Sequence, residues 1–180
     1  MNVGLADKHL GIVFQMNKLN KILLPLICLL TFSSLVSGQP DKENNKRVKR
    51  TILFVCEHGA GRSAIAASYF NKKAEKQKLE YSAIFRGLEA QEALGASTKV
   101  GLIKDSVDVT NLTPSNLSKN DAEDAYMVIT LDCTLPANFK NANLQWTGIP
   151  MDGNYEISKN RIALKVDSLI TVISKDIKRH

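Results

Sequence analysis

An apolar run at residues 51–55 (TILFV) leads directly into a short loop and then into an amphipathic segment. β-branched and aromatic residues at consecutive positions are typical of a strand that is buried on both faces. The amphipathic segment, residues 62–78, has Ile65 and Tyr69 on one face and Lys72 on another, which predicts a helix. A buried strand followed by a helix is the opening unit of a parallel α/β sheet.

The rest of the chain repeats this alternation. We expect further strands at residues 81–85, 126–131 and 144–149, and helices at residues 88–105 and 156–177. The alternation predicts an α/β domain with a four-stranded, mainly parallel sheet and helices on both faces. Sheets of this type bind ligands at the carboxyl ends of their strands. We therefore expect a site in the loop that follows residue 55.

The first 38 residues have the features of a signal peptide. A positive segment at residues 16–21 precedes an apolar run at residues 22–36, and small residues then offer a cleavage site after Gly38. Translation from Met16 would place the positive segment at the start of the signal. The apolar run is short for the ~30 Å of a bilayer core, although a retained membrane anchor is the alternative.

These features divide the chain into a signal peptide at residues 1–38, a basic linker at residues 39–50 and a folded domain at residues 51–180, which predicts a periplasmic or secreted protein. The chain has 24 basic and 18 acidic residues and a formal net charge of +6. The folded domain holds 16 of the basic and 15 of the acidic residues. A nucleic-acid-binding domain would carry its basic surface on the folded part. We therefore expect no nucleic-acid partner, and no membrane partner once the signal is removed.

The loop after the first strand reads CEHGAGRS, residues 56–63, with five residues between a cysteine and an arginine. Gly59 and Gly61 allow such a loop to curl, so that its amides and the free N–H groups of the next helix converge. Converging amides form a nest that binds an anion. The loop residues predicted to bind substrate in this way are Glu57, His58, Gly59, Ala60 and Gly61.

Three side chains at the ends of this loop are candidate catalytic groups. Cys56 would lie at the base of the nest, where amides and a helix N-terminus favour a thiolate. Arg62 can present its planar guanidinium to two oxygens of a tetrahedral oxyanion, and Ser63 can donate a hydrogen bond to the thiolate. This arrangement suits a nucleophile that attacks phosphorus or arsenic. A small buried cysteine followed by a glycine turn is the purely structural alternative.

The segment resembles the active loop of the low-molecular-weight protein tyrosine phosphatase superfamily, which includes the thioredoxin-coupled arsenate reductases. Those proteins open with an apolar strand, then Cys-x5-Arg-Ser, then a helix, as residues 51–76 do here. The resemblance implies a flavodoxin-like, three-layer fold and a phosphorylated or arsenate oxyanion substrate. It also implies Cys56 as nucleophile, Arg62 as oxyanion clamp and Ser63 as partner of the thiolate.

The loop departs from the family pattern Cys-x-Gly-Asn-x-Cys-Arg-Ser-Pro at four positions. His58, Gly59, Gly61 and Ala64 stand in place of the glycine, the asparagine, the second cysteine and the proline. Because the family asparagine braces the loop, the bracing must differ here. His58 either supplies part of it, contacts the substrate, or is an exposed imidazole.

Ester cleavage by this route needs a general acid, which in the family is an aspartate followed by proline on a late loop. The chain contains no Asp-Pro. Asp152 is the only carboxylate of residues 146–155 and is the candidate acid, with a turn aspartate in Asp-Gly-Asn as the alternative. Tyr155 could line the pocket or belong to the core.

Cys133 follows the third predicted strand, near where arsenate reductases keep a resolving cysteine. In those enzymes a first cysteine takes arsenate, a second attacks it to form a disulfide, and a third passes the disulfide outward. After export, Cys56 and Cys133 are the cysteines left in the sequence, so this three-cysteine relay cannot be built. A disulfide between them would release arsenite and need a thiol reductant, or would inhibit the nucleophile in an oxidising compartment. An ordinary buried thiol is equally consistent with the pattern.

Metal and cofactor sites are not expected, because the domain has no histidine cluster, no Cys-x-x-Cys and no glycine-rich dinucleotide fingerprint. Three functions stay open. The favoured one is hydrolysis of phosphate monoesters through a thiophosphate on Cys56. The others are arsenate reduction with Cys56 and Cys133, and phosphate binding without catalysis.

Overall fold

The computed structural model describes residues 49–139, 142–151 and 153–177. The predicted signal peptide, the predicted linker up to residue 48 and the candidate acid Asp152 lie outside the described residues. No helix in the described part of the chain is long and apolar enough to cross a membrane. The elements, in chain order, are β1 (Arg50–Cys56), α1 (Arg62–Lys76), β2 (Tyr81–Gly87), α2 (Ala96–Lys104), α3 (Lys119–Asp124), β3 (Met127–Leu131), β4 (Leu144–Trp146) and α4 (Tyr155–Ile177).

The four strands form one sheet in the order β2-β1-β3-β4. Every neighbouring pair is parallel, and Ile52 of β1 pairs with Ala83 of β2 on one side and Met127 of β3 on the other. The predicted α/β fold is therefore confirmed, with a fully parallel sheet. The order reverses between β1 and β3, so the loops after these two strands open a crevice at their carboxyl ends.

Alternate residues of β1 face opposite sides of the sheet, as the period of a strand requires. Phe54 faces α1 and α4, where its ring centroid lies 6.1 Å from that of Phe70 and 5.4 Å from that of Trp146. Val55 faces the other side and belongs to the cluster that includes Ala122 of α3. Helices thus lie on both faces, which confirms the three-layer arrangement.

One predicted helix is wrong over its first half. The helix expected at residues 88–105 begins only at Ala96, and residues 88–95 form an irregular segment that we call the strap. Four strap amides donate to the carbonyl groups of Cys56, at the end of β1, and of three residues in the loop that follows it. Amides committed to that loop cannot form the i to i−4 bonds of a helix, so tertiary contacts override the apolar periodicity here.

Three other boundaries differ by two or three residues. β2 continues to Gly87 instead of residue 85. α1 ends at Lys76 instead of residue 78, because Lys78 has a positive φ of 54° and leaves the helical region. β4 stops at Trp146 instead of residue 149, because the amides of Gly148 and Ile149 bond to a side chain instead of a strand.

The short helix α3 was not predicted. It begins with a capping box in which the Ser118 hydroxyl accepts the amide of Asp121, while the Asp121 carboxylate accepts the amide of Ser118. The same carboxylate binds the Arg86 guanidinium through two bonds of 3.0 and 2.9 Å. These contacts tie the start of α3 to the end of β2.

Candidate active site

Cys56 is the last residue of β1, and its side chain is 4% exposed. Its Sγ lies 3.1 Å from the Oγ of Ser63, a fully buried residue in the first turn of α1. The Ser63 hydroxyl also lies 3.3 Å from the carbonyl oxygen of Arg86, to which it can donate. A hydroxyl has one proton, so it can serve either that carbonyl or a thiolate on Cys56. The structure places the predicted nucleophile and its predicted partner in contact.

The carbonyl groups of the loop after Cys56 are bound from outside by the strap. Those of Cys56, Glu57 and His58 accept strap amides at 3.1, 2.8 and 3.1 Å, and that of Ala60 accepts the amide of Gly95 at 3.0 Å. Among the described residues, no amide of residues 57–61 makes a hydrogen bond. The N–H groups on the other side of these peptide units are left for a ligand, which is the arrangement of an anion nest.

Two glycines let the loop lie directly on the end of β2. Gly59 has a φ of +65°, and a Cβ on it would lie 3.0 Å from the amide nitrogen of Gly87. A Cβ on Gly87 would lie 2.8 Å from the amide nitrogen of Gly59. Real Cβ atoms essentially never lie 2.8 Å from backbone, so position 87 requires glycine, and the positive φ together with the tight contact favours glycine at position 59. Gly87 was not recognised from the sequence.

Arg62 is held by the loop after β3 and by the segment between β4 and α4, residues 147–154, which we call the late loop. Its Nε donates to the carbonyl oxygen of Ile149 at 2.8 Å and lies 3.4 Å from Oδ2 of Asp132. Both charged side chains are 23% exposed. The two terminal nitrogens of the guanidinium make no hydrogen bond within the described ranges, so they can receive the oxygens of an anion.

Asp132 is a site residue that the sequence interpretation missed. It follows β3 with a positive φ of 48°, and its carboxylate accepts the amides of Gly148 at 2.7 Å and Ile149 at 2.9 Å. One side chain thus joins the β3 loop, the late loop and Arg62. The available signal was its position at the end of a strand that neighbours β1, at the edge where parallel sheets place ligands.

The late loop also covers the nest. A Cβ on Gly61 would lie 2.3 Å from the methyl carbon of Met151, so the Met151 side chain lies against the backbone of the loop. Met151 is 40% exposed and precedes the candidate acid Asp152, whose role stays a prediction. The contact brings the end of the described late loop to the wall of the nest.

His58 and Glu57 are exposed on the rim of the loop. The Nδ1 atom of His58 lies 3.3 Å from the carbonyl oxygen of Glu89 in the strap. A carbonyl can only accept, so Nδ1 carries the proton in this contact. This contact favours the bracing interpretation of His58, while most of the bracing comes from the backbone of the strap.

Tyr155 belongs to the core and not to the pocket. It is 9% exposed, and its hydroxyl donates to Oδ2 of Asp105 at 2.6 Å. Tyr69 of α1 donates to the same oxygen at 2.6 Å. Burial, followed by the hydrogen bond to Asp105, raises the pKa of Tyr155 well above its usual range. These contacts fix the start of α4, which immediately follows the late loop.

Cys133 lies at the same edge of the sheet as Cys56. It is half-buried, and its Sγ is 3.5 Å from the carbonyl oxygen of Val55, the residue before Cys56. Burial raises the pKa of the Cys133 thiol to about 11, and the charges of Cys56 and Glu57 act in the same direction. Its redox role stays a prediction. No group of three or more His, Cys, Asp or Glu side chains in the described ranges could hold a metal ion.

This chain is similar to known proteins in its structure and not detectably in its sequence. No protein-family model matches the sequence, and no curated protein sequence matches it. Solved structures do match. The chain is similar to YfkJ from Bacillus subtilis, with 22% identity and a TM-score of 0.63 over 71% of this chain and 96% of that one.

Two further structures name the classes to which this fold is similar. One is a low-molecular-weight protein tyrosine phosphatase from T. tengcongensis, with 20% identity and a TM-score of 0.57 over 68% of this chain and 98% of that one. The other is a thioredoxin-dependent arsenate reductase from Corynebacterium glutamicum, with 18% identity and a TM-score of 0.60 over 73% of this chain and 65% of that one. The chain therefore has the fold shared by low-molecular-weight protein tyrosine phosphatases and arsenate reductases.

Proposed function

We propose that this protein is a cysteine-dependent phosphatase that hydrolyses phosphate monoesters through a thiophosphate on Cys56. One observation carries the proposal. In the loop after Cys56, the strap binds the carbonyls of Glu57, His58 and Ala60, and no loop amide has a hydrogen-bond partner among the described residues, directly beside a buried sulfur and a fixed guanidinium. Such a nest accommodates a tetrahedral dianion over a nucleophile.

The first step transfers the phosphoryl group to sulfur. The Cys56 thiolate attacks phosphorus, an S–P bond forms and the P–O bond to the leaving group breaks. The loop amides and the terminal nitrogens of Arg62 hold the equatorial oxygens, whose negative charge they neutralise. A general acid protonates the departing oxygen.

The second step hydrolyses the thiophosphate. Water attacks phosphorus, its proton passes to the base formed from the general acid, and the S–P bond breaks to return the thiolate. Ser63 lies 3.1 Å from that sulfur, and its hydroxyl can donate a hydrogen bond to the thiolate as it departs. Inorganic phosphate is then released.

Asp152 remains the proposed acid and base. The support is indirect, because the Arg62 bond to Ile149 and the Met151 contact with Gly61 bring the preceding residues of the late loop to the nest. Asp152→Asn should slow hydrolysis of phenyl phosphate more than that of p-nitrophenyl phosphate, whose leaving group needs less protonation. Equal losses on both substrates would remove Asp152 from this role.

The proposal is tested with p-nitrophenyl phosphate under single- and multiple-turnover conditions. We expect a burst of p-nitrophenol equal to the enzyme concentration, and we expect Cys56→Ser to abolish turnover while inorganic phosphate still binds in calorimetry. Cys133→Ser is the matched control and should retain hydrolysis. Phosphate binding that needs Arg62, with no turnover of any ester, would instead indicate a non-catalytic phosphate-binding module.

Arsenate reduction is the second candidate, because Cys133 lies beside the end of β1. Cys56 would form an S–As bond to arsenate as an As–O bond breaks and water leaves. Cys133 would then attack the Cys56 sulfur, so that a disulfide forms, the S–As bond breaks and As(III) leaves as arsenite with the electron pair. A thiol reductant would have to restore the dithiol. Cys133→Ser should stop arsenite release and spare ester hydrolysis, whereas survival of both activities would exclude a catalytic part for Cys133.

Export is also proposed, on the sequence of residues 1–38 alone. Mature protein beginning at Gln39, recovered from the periplasm or the medium, would support it. Recovery of full-length chain from the cytoplasm would contradict it. A membrane-bound product with the apolar run retained would indicate an anchor.

A further inference from the structure

The strap donates hydrogen bonds to the Cys56 segment and also to the side chain of Asn116, while Leu88 and Leu94 pack against the core. While the amides of four strap residues donate to the loop, the amide of Ala90 points away and donates to Oδ1 of Asn116 at 2.7 Å. Ala90 lies between Glu89 and Gln91, whose amides bind Glu57 and His58. The Asn116 side chain therefore holds the strap at the midpoint of its contact with the nest.

The backbone of Asn116 is itself fixed to the sheet. It forms a parallel bridge with Gly87, in which the Gly87 amide donates to Ser115 at 3.0 Å and the Leu117 amide donates to Gly87 at 2.8 Å. Gly87 is also the residue on which Gly59 lies. The Asn116 side chain is exposed, but the backbone that carries it is hydrogen-bonded to the last residue of β2.

We propose that Asn116 is a positioning residue for the nest, which acts by holding the strap and does not touch the substrate. The inference rests on the proposed function. The loop has glycine at position 59, where the phosphatases it resembles have a bracing asparagine. Here an asparagine outside the loop takes part instead: the Asn116 side chain accepts the amide of Ala90 in the strap, and the strap in turn binds the loop.

Because Asn116 is exposed, a substitution there can change phosphate binding without a large change in the stability of the fold. If Asn116 is shortened, water can hydrate the Ala90 amide, so the global stability should change little. A looser strap, however, allows the loop carbonyls to shift, and the preorganisation of the amides around the anion is lost. A net hydrogen bond contributes about 0.5–1.5 kcal/mol, which corresponds to a loss of about two- to tenfold in anion affinity.

The experiment compares Asn116→Ala, Asn116→Asp and the control Asn111→Ala, all in the full chain. Asn111 is an exposed asparagine of the same connecting segment and makes no hydrogen bond with the described residues. We expect Asn116→Ala to lose about two- to tenfold in affinity for inorganic phosphate and in kcat/KM for p-nitrophenyl phosphate, with an unchanged Tm. Asn116→Asp keeps the acceptor and should restore both values, while Asn111→Ala should match the wild type.

Amide hydrogen exchange gives a readout that does not depend on activity. In Asn116→Ala, the amides of Leu88, Glu89 and Gln91 should exchange faster than in the wild type, and in Asn116→Asp they should not. Unchanged exchange, or an aspartate variant no better than alanine, overturns the inference whether or not the protein binds phosphate. A wild-type protein that neither binds phosphate nor turns over esters would contradict the proposed function. The exchange result would still decide whether Asn116 holds the strap.

Discussion

Asp132 anchors Arg62 with a carboxylate oxygen that lies 3.4 Å from the guanidinium Nε. The same oxygen accepts the amide of Ile149, whose carbonyl accepts the Arg62 Nε at 2.8 Å. These three contacts hold the Nε side of the guanidinium, and the two terminal nitrogens have no hydrogen-bond partner among the described residues. The position of the proposed clamp therefore depends on a residue that is not in the loop.

Replacement of Asp132 by alanine should weaken phosphate binding. The change removes the partner of Arg62 and the acceptor of two late-loop amides, and bonds to charged groups contribute about 1.5–3 kcal/mol. We expect the dissociation constant for inorganic phosphate, measured by calorimetry, to rise about 10- to 100-fold. Asp124→Ala, at an exposed position without a partner among the described residues, should leave it unchanged. Wild-type affinity in Asp132→Ala would show that Arg62 needs no anchor.

Replacement of Ser63 by alanine should slow the second chemical step. The variant loses the hydroxyl that lies 3.1 Å from Cys56, so the departing thiolate has no side-chain donor. We expect kcat for p-nitrophenyl phosphate to fall about 10- to 100-fold, with thiophosphate accumulating in the burst. The control is Ser68→Ala, since Ser68 is buried in the same helix and its hydroxyl has no partner in the described part of the chain. Similar losses in the two variants would argue against a role specific to Ser63.

Replacement of Gly59 by alanine should distort the nest. A side chain there meets the Gly87 backbone and adopts a φ of +65°, which costs about 1–3 kcal/mol. We expect a loss of that size in the free energy of unfolding, measured in urea, together with loss of phosphate binding. Gly95→Ala is the matched control, because its Cβ would make ordinary contacts and its amide would still bind Ala60. A Gly59→Ala protein with wild-type affinity would contradict the loop geometry.

Cys133 should react slowly at neutral pH. Its pKa is raised to about 11, chiefly by burial, so only a small fraction is thiolate at pH 7.5. We expect the rate of alkylation by iodoacetamide, followed by mass spectrometry of the Cys133 peptide, to rise about tenfold per pH unit up to pH 10. A rate that levels off below pH 9 would show that the thiol is more acidic, and would strengthen its case as a resolving nucleophile.

The Asp121 carboxylate should contribute to stability near neutral pH and less in acid. Burial alone would raise its pKa, but hydrogen bonds from Arg86 and Ser118 outweigh burial and lower it. A carboxyl with a lowered pKa stabilises the fold above its unfolded pKa of about 4, and this contribution disappears as pH falls through the folded value. Asp121→Asn should thus lower the free energy of unfolding at pH 7 by about 1–2 kcal/mol and converge with the wild type in strong acid. Asp124→Asn should show no such pH-dependent difference.

The early part of the site was predictable because its information is local. The apolar strand, the spacing from Cys56 to Arg62 and the helix that follows lie within one stretch of sequence, and the structure places Cys56 against Ser63 as expected. The strap was mispredicted for the opposite reason. Its apolar periodicity favoured a helix, but its amides bind the loop, and no local pattern encodes that choice.

The amino-acid sequence by itself determined the α/β class, the buried strand that ends at Cys56 and the spacing from Cys56 to Arg62, because hydrophobic period and residue spacing act over neighbouring positions. Only the tertiary structure decided what holds the site in place. Arg62 bonds to a carbonyl 87 positions away, and Ala90 bonds to a side chain 26 positions away. Such pairs are set by strand order and by the reversal between β1 and β3, which bring distant loops to one edge of the sheet.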